Sequence, residues 1–251
     1  MSSLALATRG LDKRFGSLVV ANDVTIELPQ GERYALIGPN GAGKTTLINL
    51  ITGMLKPDRG RIFLGTDEIT LAAPAERVRR GLVRTFQLNT LFPRLSALEA
   101  VTLAVCERRG CAGVWWRNLP FSGEAIEEAH AILVSLRLAA SCYRPTSELA
   151  YGQQRLLEIA LALATRPKVL LLDEPAAGVP QAESTELFSV IADLSRAITV
   201  LFIEHDVNVV FRFARRIIVM VGGRILVEGT PRDIASDRRV RETYLGGAGH
   251  A

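Results

Sequence analysis

The sequence predicts an α/β fold in which a core formed by both ends of the chain brackets a helical insertion. Continuous apolar runs at 169–172 and 200–203 are each followed by acidic residues, and such runs are typical of parallel strands buried on both faces. A third apolar run, "RYALIG" at 33–38, leads into a glycine-rich turn. The middle of the chain instead repeats its apolar residues with a helical period.

The first elements are expected to be strands followed by a helix. "VTIEL" at 24–28 alternates apolar and polar residues, as strands with one buried face do. "GKTTLINLITG" follows the run at 33–38 and is typical of a helix, which we expect to end at Gly53. "GRIFLG" and "GLVRTFQ" predict two further short strands.

Capping residues mark two helices in the middle of the chain. Ser96 and Glu99 form a capping box ahead of "AVTLAVCERR". Ser122 is expected to cap "GEAIEEAHAILVSLRLA". The apolar stripe of this second helix consists of Ile126, Ala129, Leu133 and Leu136. Between the two helices, "GCAGVWWRNLPF" is predicted to be a loop or a poorly regular insert, in which Trp115–Trp116 are expected to serve local packing rather than a partner contact.

The last part of the chain carries three further signals. Pro180 is expected at the first position of the helix "QAESTELFSVIADL". "RIIVMVGGRILVEG" predicts a hairpin that turns at Gly222–Gly223. Thr230, Pro231 and Asp233 are expected to open a short terminal helix.

A chain of 251 residues is long enough to bury a sizeable core in one large domain. We predict a single domain over residues 1–251. Residues 1–89 and 161–251 are predicted to form the α/β core, and residues 90–160 the helical subdomain.

Composition argues against several classes of protein. Hydrophobic residues make up 48% and charged residues 22% of the chain, without low-complexity tracts. No apolar run approaches the ~18 residues of a membrane span, and "MSSLALATRG" lacks the basic start of a secretory signal. The three cysteines are odd in number and lack metal-ligand spacing, so we expect unbridged thiols in a reducing compartment.

The net charge of +4 raises the question of an anionic partner. Two basic clusters are present: Arg79, Arg80, Arg84 and Arg238, Arg239, Arg241. Because no aromatic residues interleave with these arginines, a stacking surface for nucleic acid is not expected. The clusters are interpreted as solvated basic faces.

The stretch "GPNGAGKTT" fits the phosphate-loop pattern G-x-x-x-x-G-K-[ST]. Its residues are Gly38, Pro39, Asn40, Gly41, Ala42, Gly43, Lys44, Thr45 and Thr46. Glycines let backbone N–H groups approach phosphates closely, and the following helix presents its positive end to them. Lys44 is expected at the β- and γ-phosphates, and the Thr45 hydroxyl at Mg²⁺.

Polar residues at other strand ends are expected to complete a site for hydrolysis. Asp173 would reach Mg²⁺ through its water shell, and Glu174 would polarise the attacking water. Gln87 is expected to sense both the metal and that water. His205 ends another core strand, at the sheet edge where such folds bind ligands, and is expected to contact the γ-phosphate while neutral.

Together these motifs resemble those of ATP-binding-cassette (ABC) ATPase subunits, in the same order and over nearly the whole chain. The resemblance implies ATP and Mg²⁺ as ligands and an ABC-type P-loop NTPase core, in which a RecA-like lobe carries an antiparallel β-subdomain and an inserted helical subdomain. It also implies that Phe15 stacks on adenine, that Gly38–Thr46 is the Walker A loop and Gln87 the Q-loop glutamine, and that His205 is the switch histidine. Asp173 and Glu174 match Walker B and the catalytic glutamate.

"LAYGQ" at 149–153 stands where the family has its "LSGGQ" signature. The resemblance implies a head-to-tail dimer in which this segment caps the γ-phosphate held by the partner subunit. The residues expected at the partner's ATP are Ala150, Tyr151, Gly152 and Gln153. Two positions depart from the family pattern: Ala150 replaces a serine, and Pro180 replaces the usual aspartate of the D-loop.

Within the family, the chain looks like the larger ATPase subunit of branched-chain amino acid importers. This implies a second ATPase subunit, identical or not, a transmembrane permease, an extracytoplasmic binding protein contacted indirectly, and a peripheral location on the cytoplasmic face of the membrane. Leu91, Phe92 and Leu95 would form a groove for a permease helix. Alternatives are the ATPase of an envelope exporter, such as that of lipopolysaccharide export, and a soluble ABC ATPase that acts on nucleic acid. The transported solute is expected to contact the binding protein and the permease, and not this chain.

Overall fold

The computed structural model describes residues 3–85, 92–110 and 123–242. Several predicted features fall outside these ranges: Gln87, Leu91, Trp115–Trp116 and the cap at Ser122. No helix in the described part of the chain combines the length and the apolarity needed to cross a bilayer.

The chain divides into two compact units, each described by itself. The first, which we call the α/β unit, comprises Met1–Arg84, Lys168–Glu174 and Ser195–Ala251. The second, the helical unit, comprises Thr85–Pro167 and Pro175–Leu194. The domain boundaries given above stay a prediction.

The α/β unit contains all the described strands. In chain order they are β1 (Leu4–Phe15), β2 (Leu18–Pro29), β3 (Arg33–Ile37), β4 (Arg59–Leu64), β5 (Asp67–Glu68), β6 (Leu82–Arg84), β7 (Val169–Asp173), β8 (Thr199–Ile203), β9 (Arg216–Val221) and β10 (Arg224–Gly229). The described helices are α1 (Lys44–Thr52), α2 (Pro74–Arg79), α3 (Ala97–Arg109), α4 (Gly123–Ser135), α5 (Tyr151–Ala164), α6 (Gln181–Asp193), α7 (Val207–Phe213), α8 (Pro231–Ser236) and α9 (Arg238–Val240). Of these, α3 to α6 belong to the helical unit.

A six-stranded sheet forms the centre of the α/β unit, in the order β10-β9-β3-β8-β7-β6. All its neighbouring pairs are parallel except β9 with β10. Every residue of β3 and β8 is buried, as the continuous apolar runs predict. The parallel register pairs Asp173 with Ile203 and Arg84 with Leu171, so β6, β7 and β8 end at one edge.

A second, antiparallel sheet has the order β2-β1-β4-β5. The strand over "VTIEL" is confirmed as part of β2, whereas β1 is a strand that sequence patterning missed. Its register against β2 shifts between Thr8 and Leu11, where Gly10 has φ 58°. Such bulges interrupt the alternation on which sequence recognition of strands depends.

Several local predictions are confirmed. Gly53 ends α1 in the left-handed conformation at φ 80°, and its N–H donates to the Leu50 carbonyl. Ser96 and Glu99 form both hydrogen bonds of a capping box. Thr230 and Asp233 do the same at α8. The turn between β9 and β10 lies at Gly222 and Gly223, both at positive φ.

Two helix predictions need correction. In α4 the buried stripe runs through Ala125, Ala129 and Leu133, whereas Ile126 is exposed. Spacings of four residues keep side chains stacked on one face, and Ile126 is rotated off that face. Pro180 is the N-cap of α6, not its first residue, with φ −54° and ψ 145°. The preference of proline for extended ψ allows this position as well.

The basic cluster around residue 80 is not one solvated face. Arg79 and Arg80 are exposed, but Arg84 lies on β6 and pairs with Asp173. The two side chains of this pair are only 13% and 12% exposed. Sequence patterning cannot distinguish these arginines, because β6 and β7 are distant in the chain and adjacent in the sheet.

Arg77, two residues before this cluster in α2, is the largest fully buried side chain among the described residues. Its guanidinium donates to the carbonyl oxygens of Leu50 and Ile51 at 2.8 and 2.6 Å, and to those of Thr70 and Ala72 at 2.8 and 2.9 Å. Burial lowers the pKa of Arg77. The side chain therefore ties the end of α1 to the segment that precedes α2.

Replacing Arg77 should destabilise the α/β unit. In Arg77→Ala four carbonyl oxygens lose a buried donor, so we expect the free energy of unfolding to fall by about 3 kcal/mol or more. Arg79→Ala is the matched control, since it lies exposed in the same helix, and should change stability by less than about 0.5 kcal/mol. Urea unfolding followed by circular dichroism measures both. Equal losses in the two variants would contradict the role given to Arg77.

Candidate functional site

The loop after β3 packs so closely against its neighbours that two positions require glycine. A Cβ on Gly38 would lie 2.0 Å from the Met220 carbonyl oxygen, and one on Gly43 would lie 2.4 Å from the Val20 carbonyl oxygen. Both glycines have positive φ, 156° and 101°. The backbone of β9 and of β2 therefore fixes the course of the loop.

The turn between β9 and β10 also supports this loop. The Gly223 N–H donates to the Ala42 carbonyl at 2.9 Å, and the Gly223 carbonyl accepts from the Asn22 N–H at 2.8 Å. Gly223 thus connects the loop to β2. The hairpin was predictable from its two glycines, but its contact with the loop was not.

Lys44 occupies the start of α1 and is buried, with 7% of its surface exposed. Its ammonium group donates to the carbonyl oxygens of Gly38 at 2.7 Å and Pro39 at 3.1 Å. Burial lowers the pKa of Lys44, while the carboxylates of Glu174 and Asp173 act in the opposite direction. The cation is thereby held within its own loop and close to the acidic end of β7.

The N-terminus of α1 fits an anionic ligand. Its N-cap is Gly43, and among the described residues no side chain caps it. Its first turn contains no acidic residue either. The first N–H groups of a helix have no intrahelical acceptor and carry partial positive charge. Together with Lys44, they form a cradle suited to phosphate.

The acidic end of β7 is connected to β6 and to α1 through one arginine. Arg84 pairs with Asp173 and also donates to the Asn49 Oδ1 atom of α1 at 2.7 Å. One guanidinium therefore links β6, the phosphate-loop helix and the acid proposed for the metal. Neither Arg84 nor Asn49 was predicted as a site residue, because their role arises from a contact between segments that are distant in the sequence.

Glu174 and His205 meet at the same edge of the sheet. His205 Nε2 lies 2.7 Å from Glu174 Oε1. Since a carboxylate only accepts hydrogen bonds, Nε2 carries the hydrogen when the imidazole is neutral. Glu174 itself has φ 48°, in the left-handed region, and its N–H donates to the Ile203 carbonyl at 3.1 Å. The expectation that β7 and β8 bring these two residues together is confirmed.

Phe15 ends β1 and leaves half of its surface exposed. The Lys13 ammonium lies 5.7 Å from the centre of its ring, within range of a cation–π contact. Lys13 also pairs with Asp58 at 2.7 Å. An exposed ring in this position is available for stacking.

The signature segment begins α5 in the helical unit. Ala150 is the N-cap, and its N–H donates to Gln153 Oε1 at 3.3 Å. The N–H of Gly152 donates to the Glu183 carboxylate of α6 at 3.1 Å. Glu183 was not predicted as a site residue, since nothing in the local sequence marks it.

Tyr151 packs against the segment that precedes α6. Its hydroxyl donates to the Ala177 carbonyl at 3.2 Å, and its ring lies next to Gly178. Arg155 donates to the same hydroxyl and stacks over the ring at 4.9 Å. The observed contacts of Tyr151 thus hold the D-loop segment, and its expected contact with a nucleotide stays a prediction. Gln87 lies outside the described residues, so its expected roles stay predictions as well.

Comparisons with known proteins agree with this geometry. The profile of the ABC transporter family matches residues 21–177. A second profile, that of the branched-chain amino acid ATP-binding cassette transporter, matches residues 224–250.

Two relatives illustrate how much of the chain is matched. The high-affinity branched-chain amino acid transport ATP-binding protein LivG of Salmonella typhimurium is 40% identical over 255 residues, which cover 99% of this chain and 100% of LivG. The lipopolysaccharide export system ATP-binding protein LptB of Acidithiobacillus ferridurans is 38% identical over 248 residues, 98% of each chain.

Solved structures show the same fold. The ADP conformation of an ATP-binding cassette of an ABC transporter has a TM-score of 0.84 at 36% identity, covering 97% of this chain and 99% of that one. The dimeric structure of a bacterial ABC transporter cassette has a TM-score of 0.72 at 25% identity, covering 90% and 99%. Since a family profile spans more than half of the chain and relatives match it nearly end to end, the chain belongs to the ABC transporter family as one of its ATP-binding cassettes.

Proposed function

We propose that this chain is the ATP-hydrolysing subunit of a membrane importer for branched-chain or other hydrophobic amino acids. The observation that carries the ATPase assignment is the meeting of the Lys44 loop, Asp173 and the Glu174–His205 pair within the α/β unit. The relation to LivG and the profile matched at residues 224–250 support the solute class.

The residues of the phosphate loop would bind the nucleotide. The open N-terminus of α1 and the Lys44 ammonium would neutralise the β- and γ-phosphates, while Phe15 would stack on adenine. Lys44 would exchange its present carbonyl acceptors for phosphate oxygens. Thr45, Gln87 and the water shell of Asp173 would hold Mg²⁺, which supplies charge neutralisation at the phosphates when bound.

Glu174 would act as the general base. Its carboxylate would accept a proton from the water that attacks the γ-phosphate. His205 at present donates to Glu174 through Nε2, and the same N–H would reach the γ-phosphate as a neutral donor. β7 and β8 run parallel with Asp173 opposite Ile203, which supports a common role for the two residues that follow these strands.

The signature segment would act on the nucleotide of a second ATPase subunit. Gly152 is the second residue of α5, where backbone N–H groups point out of the helix end. In a head-to-tail dimer this end would close over the partner's γ-phosphate. The similarity to a dimeric cassette supports such an arrangement.

Exposed apolar side chains on the helical unit support docking to a permease at the cytoplasmic face of the membrane. Phe92 is 65% exposed, and its carbonyl accepts from the Thr146 hydroxyl at 2.7 Å. Tyr143, close to Thr146 in the chain, is 79% exposed. Leu95, expected in the same groove, is half-buried instead. The extracytoplasmic binding protein would act on this subunit only through the permease.

A second candidate function is ATP hydrolysis for an envelope exporter. The similarity to LptB favours it, with an identity only slightly below that to LivG. Purification from detergent extract, followed by identification of the co-purified membrane protein, separates the two functions. An amino acid permease supports import, and an envelope-export complex would replace the proposal.

Lys44→Ala should abolish most nucleotide binding, because the phosphate cradle loses its buried cation. Equilibrium titration with a fluorescent ATP analogue measures the affinity. Lys56→Ala is the matched control, since Lys56 is exposed just beyond α1, and should bind as the unmodified protein does. If Lys44→Ala retained most of the affinity, the assignment of residues 38–46 as the phosphate loop would be wrong.

Glu174→Gln should bind ATP and hydrolyse it roughly 10²–10⁴-fold more slowly, because an amide cannot accept the proton of the attacking water. The slow variant should accumulate as a dimer with Mg-ATP, which size-exclusion chromatography detects. Glu127→Gln, exposed on α4, is the control and should hydrolyse normally. Hydrolysis by Glu174→Gln at close to the normal rate would exclude the role of general base.

Phe92→Ser should reduce the amount of permease that co-purifies, because it removes an exposed apolar contact, and it should leave the ATP affinity of the free subunit unchanged. Leu71→Ser provides the control, since Leu71 is 85% exposed but belongs to the α/β unit. Quantitative co-purification from detergent extract compares the variants. Equal recovery of permease with both would place the docking surface elsewhere.

A further inference from the structure

The N-terminus of the signature helix α5 already holds an anion from its own chain. The Gly152 N–H donates to Oε2 of Glu183 at 3.1 Å. A Cβ on Gly152 would lie only 2.6 Å from the same oxygen. The carboxylate therefore rests directly against the backbone at which the partner's γ-phosphate is proposed to bind.

The sequence explains why a distant carboxylate occupies this place. An N-cap side chain usually accepts from the N–H of the second or third helical residue. The N-cap of α5 is Ala150, which has no side-chain oxygen, and Gly152 is the second residue. Glu183 thus supplies from α6 the acceptor that is missing at Ala150.

The two helices proposed to face phosphates, α1 and α5, differ in whether a carboxylate already lies at the N-terminus. Within the described residues, no side chain caps the N-terminus of α1, and its first turn has no acid. The N-terminus of α5 instead has the Glu183 carboxylate. Both helix ends favour a negative charge, but a ligand of α5 has to replace a charge that is already present.

Glu183 has room to move. The side chain is only half-buried. It borders a cavity of about 180 Å³, which is also lined by Arg137, Gly152, Gln153 and Glu186. Rotation of its side-chain torsions would carry the carboxylate away from Gly152 without moving either helix.

We propose that Glu183 is a positioning residue that controls access to the signature helix: in the free chain its carboxylate takes the place of the partner's γ-phosphate, and it rotates away when the ATP dimer closes. This inference rests on the proposed contact of the signature with the partner's nucleotide. The carboxylate and the phosphate are both anions and compete for one N–H group. Glu183 therefore weakens closure and helps to keep the free subunit monomeric.

The test compares dimerisation in a background that hydrolyses ATP slowly. Glu183→Gln and Glu183→Ala are each combined with Glu174→Gln, and the dimer dissociation constant is measured by analytical ultracentrifugation with saturating Mg-ATP. Removing one charge next to a helix N-terminus should tighten the dimer roughly three- to thirtyfold. Glu186→Gln is the matched control, since it lines the same cavity but has no hydrogen bond to Gly152 among the described contacts.

Two further measurements distinguish competition for the Gly152 N–H from a purely structural role, in which Glu183 only holds α5 against α6. Binding of ATP to the monomer should be unchanged in Glu183→Gln, because the phosphate loop is not altered. Ala150→Ser offers α5 a neutral cap in place of the Glu183 carboxylate, and a hydroxyl, unlike a carboxylate, can also donate a hydrogen bond to a phosphate. This variant should therefore also tighten the dimer. Its effect should shrink in the Glu183→Ala background, because both changes relieve the same competition.

The possible outcomes are distinct. A dimer that is unchanged or weaker in both Glu183 variants overturns this inference and leaves the proposed function intact. A fall in melting temperature without tighter dimerisation shows that Glu183 only stabilises the packing of α5 against α6. Failure of the Glu174→Gln parent to dimerise with ATP overturns the proposed contact in trans, and this inference with it. Tightening in Glu183→Gln but not in Glu186→Gln supports it.

Discussion

The parallel pairing of β3, β8, β7 and β6 is the constraint on which the rest of the α/β unit depends. Parallel strands end at one edge, so residues far apart in the chain are brought together there by the pairing of their strands. The phosphate loop follows β3, Asp173 ends β7, and His205 follows β8. Burial of β3 and β8 then fixes this register, since a slip would place polar strand ends inside the core.

Features that depend only on residues adjacent in the sequence could be predicted. The phosphate loop, the capping box at Ser96 and the hairpin at Gly222–Gly223 each follow from the chemistry of a few adjacent positions. The two continuous apolar runs predicted buried parallel strands, and this in turn predicted that Glu174 and His205 would meet. The geometry confirms that meeting at 2.7 Å.

Features that depend on distant partners could not be predicted. Arg84 was interpreted as surface charge, because its partner Asp173 lies on another strand. Glu183 carried no signal, because its role arises from an absent oxygen at Ala150 and from the packing of α5 with α6. The error at Ile126 has a different cause. An apolar stripe of period 3.6 can include either of two adjacent residues, here Ala125 or Ile126, and only the packing of the folded helix decides which of them is buried.

The left-handed backbone of Glu174 has an evolutionary consequence. A residue with a Cβ in this conformation costs roughly 1–2 kcal/mol, a strain that glycine would relieve. Selection for stability alone would therefore drive this position toward glycine, and every such change would remove the carboxylate beside His205. Homologues that have lost hydrolysis but kept nucleotide binding should accumulate this substitution. A glycine at this point of a related chain would leave its site without the carboxylate proposed as the general base.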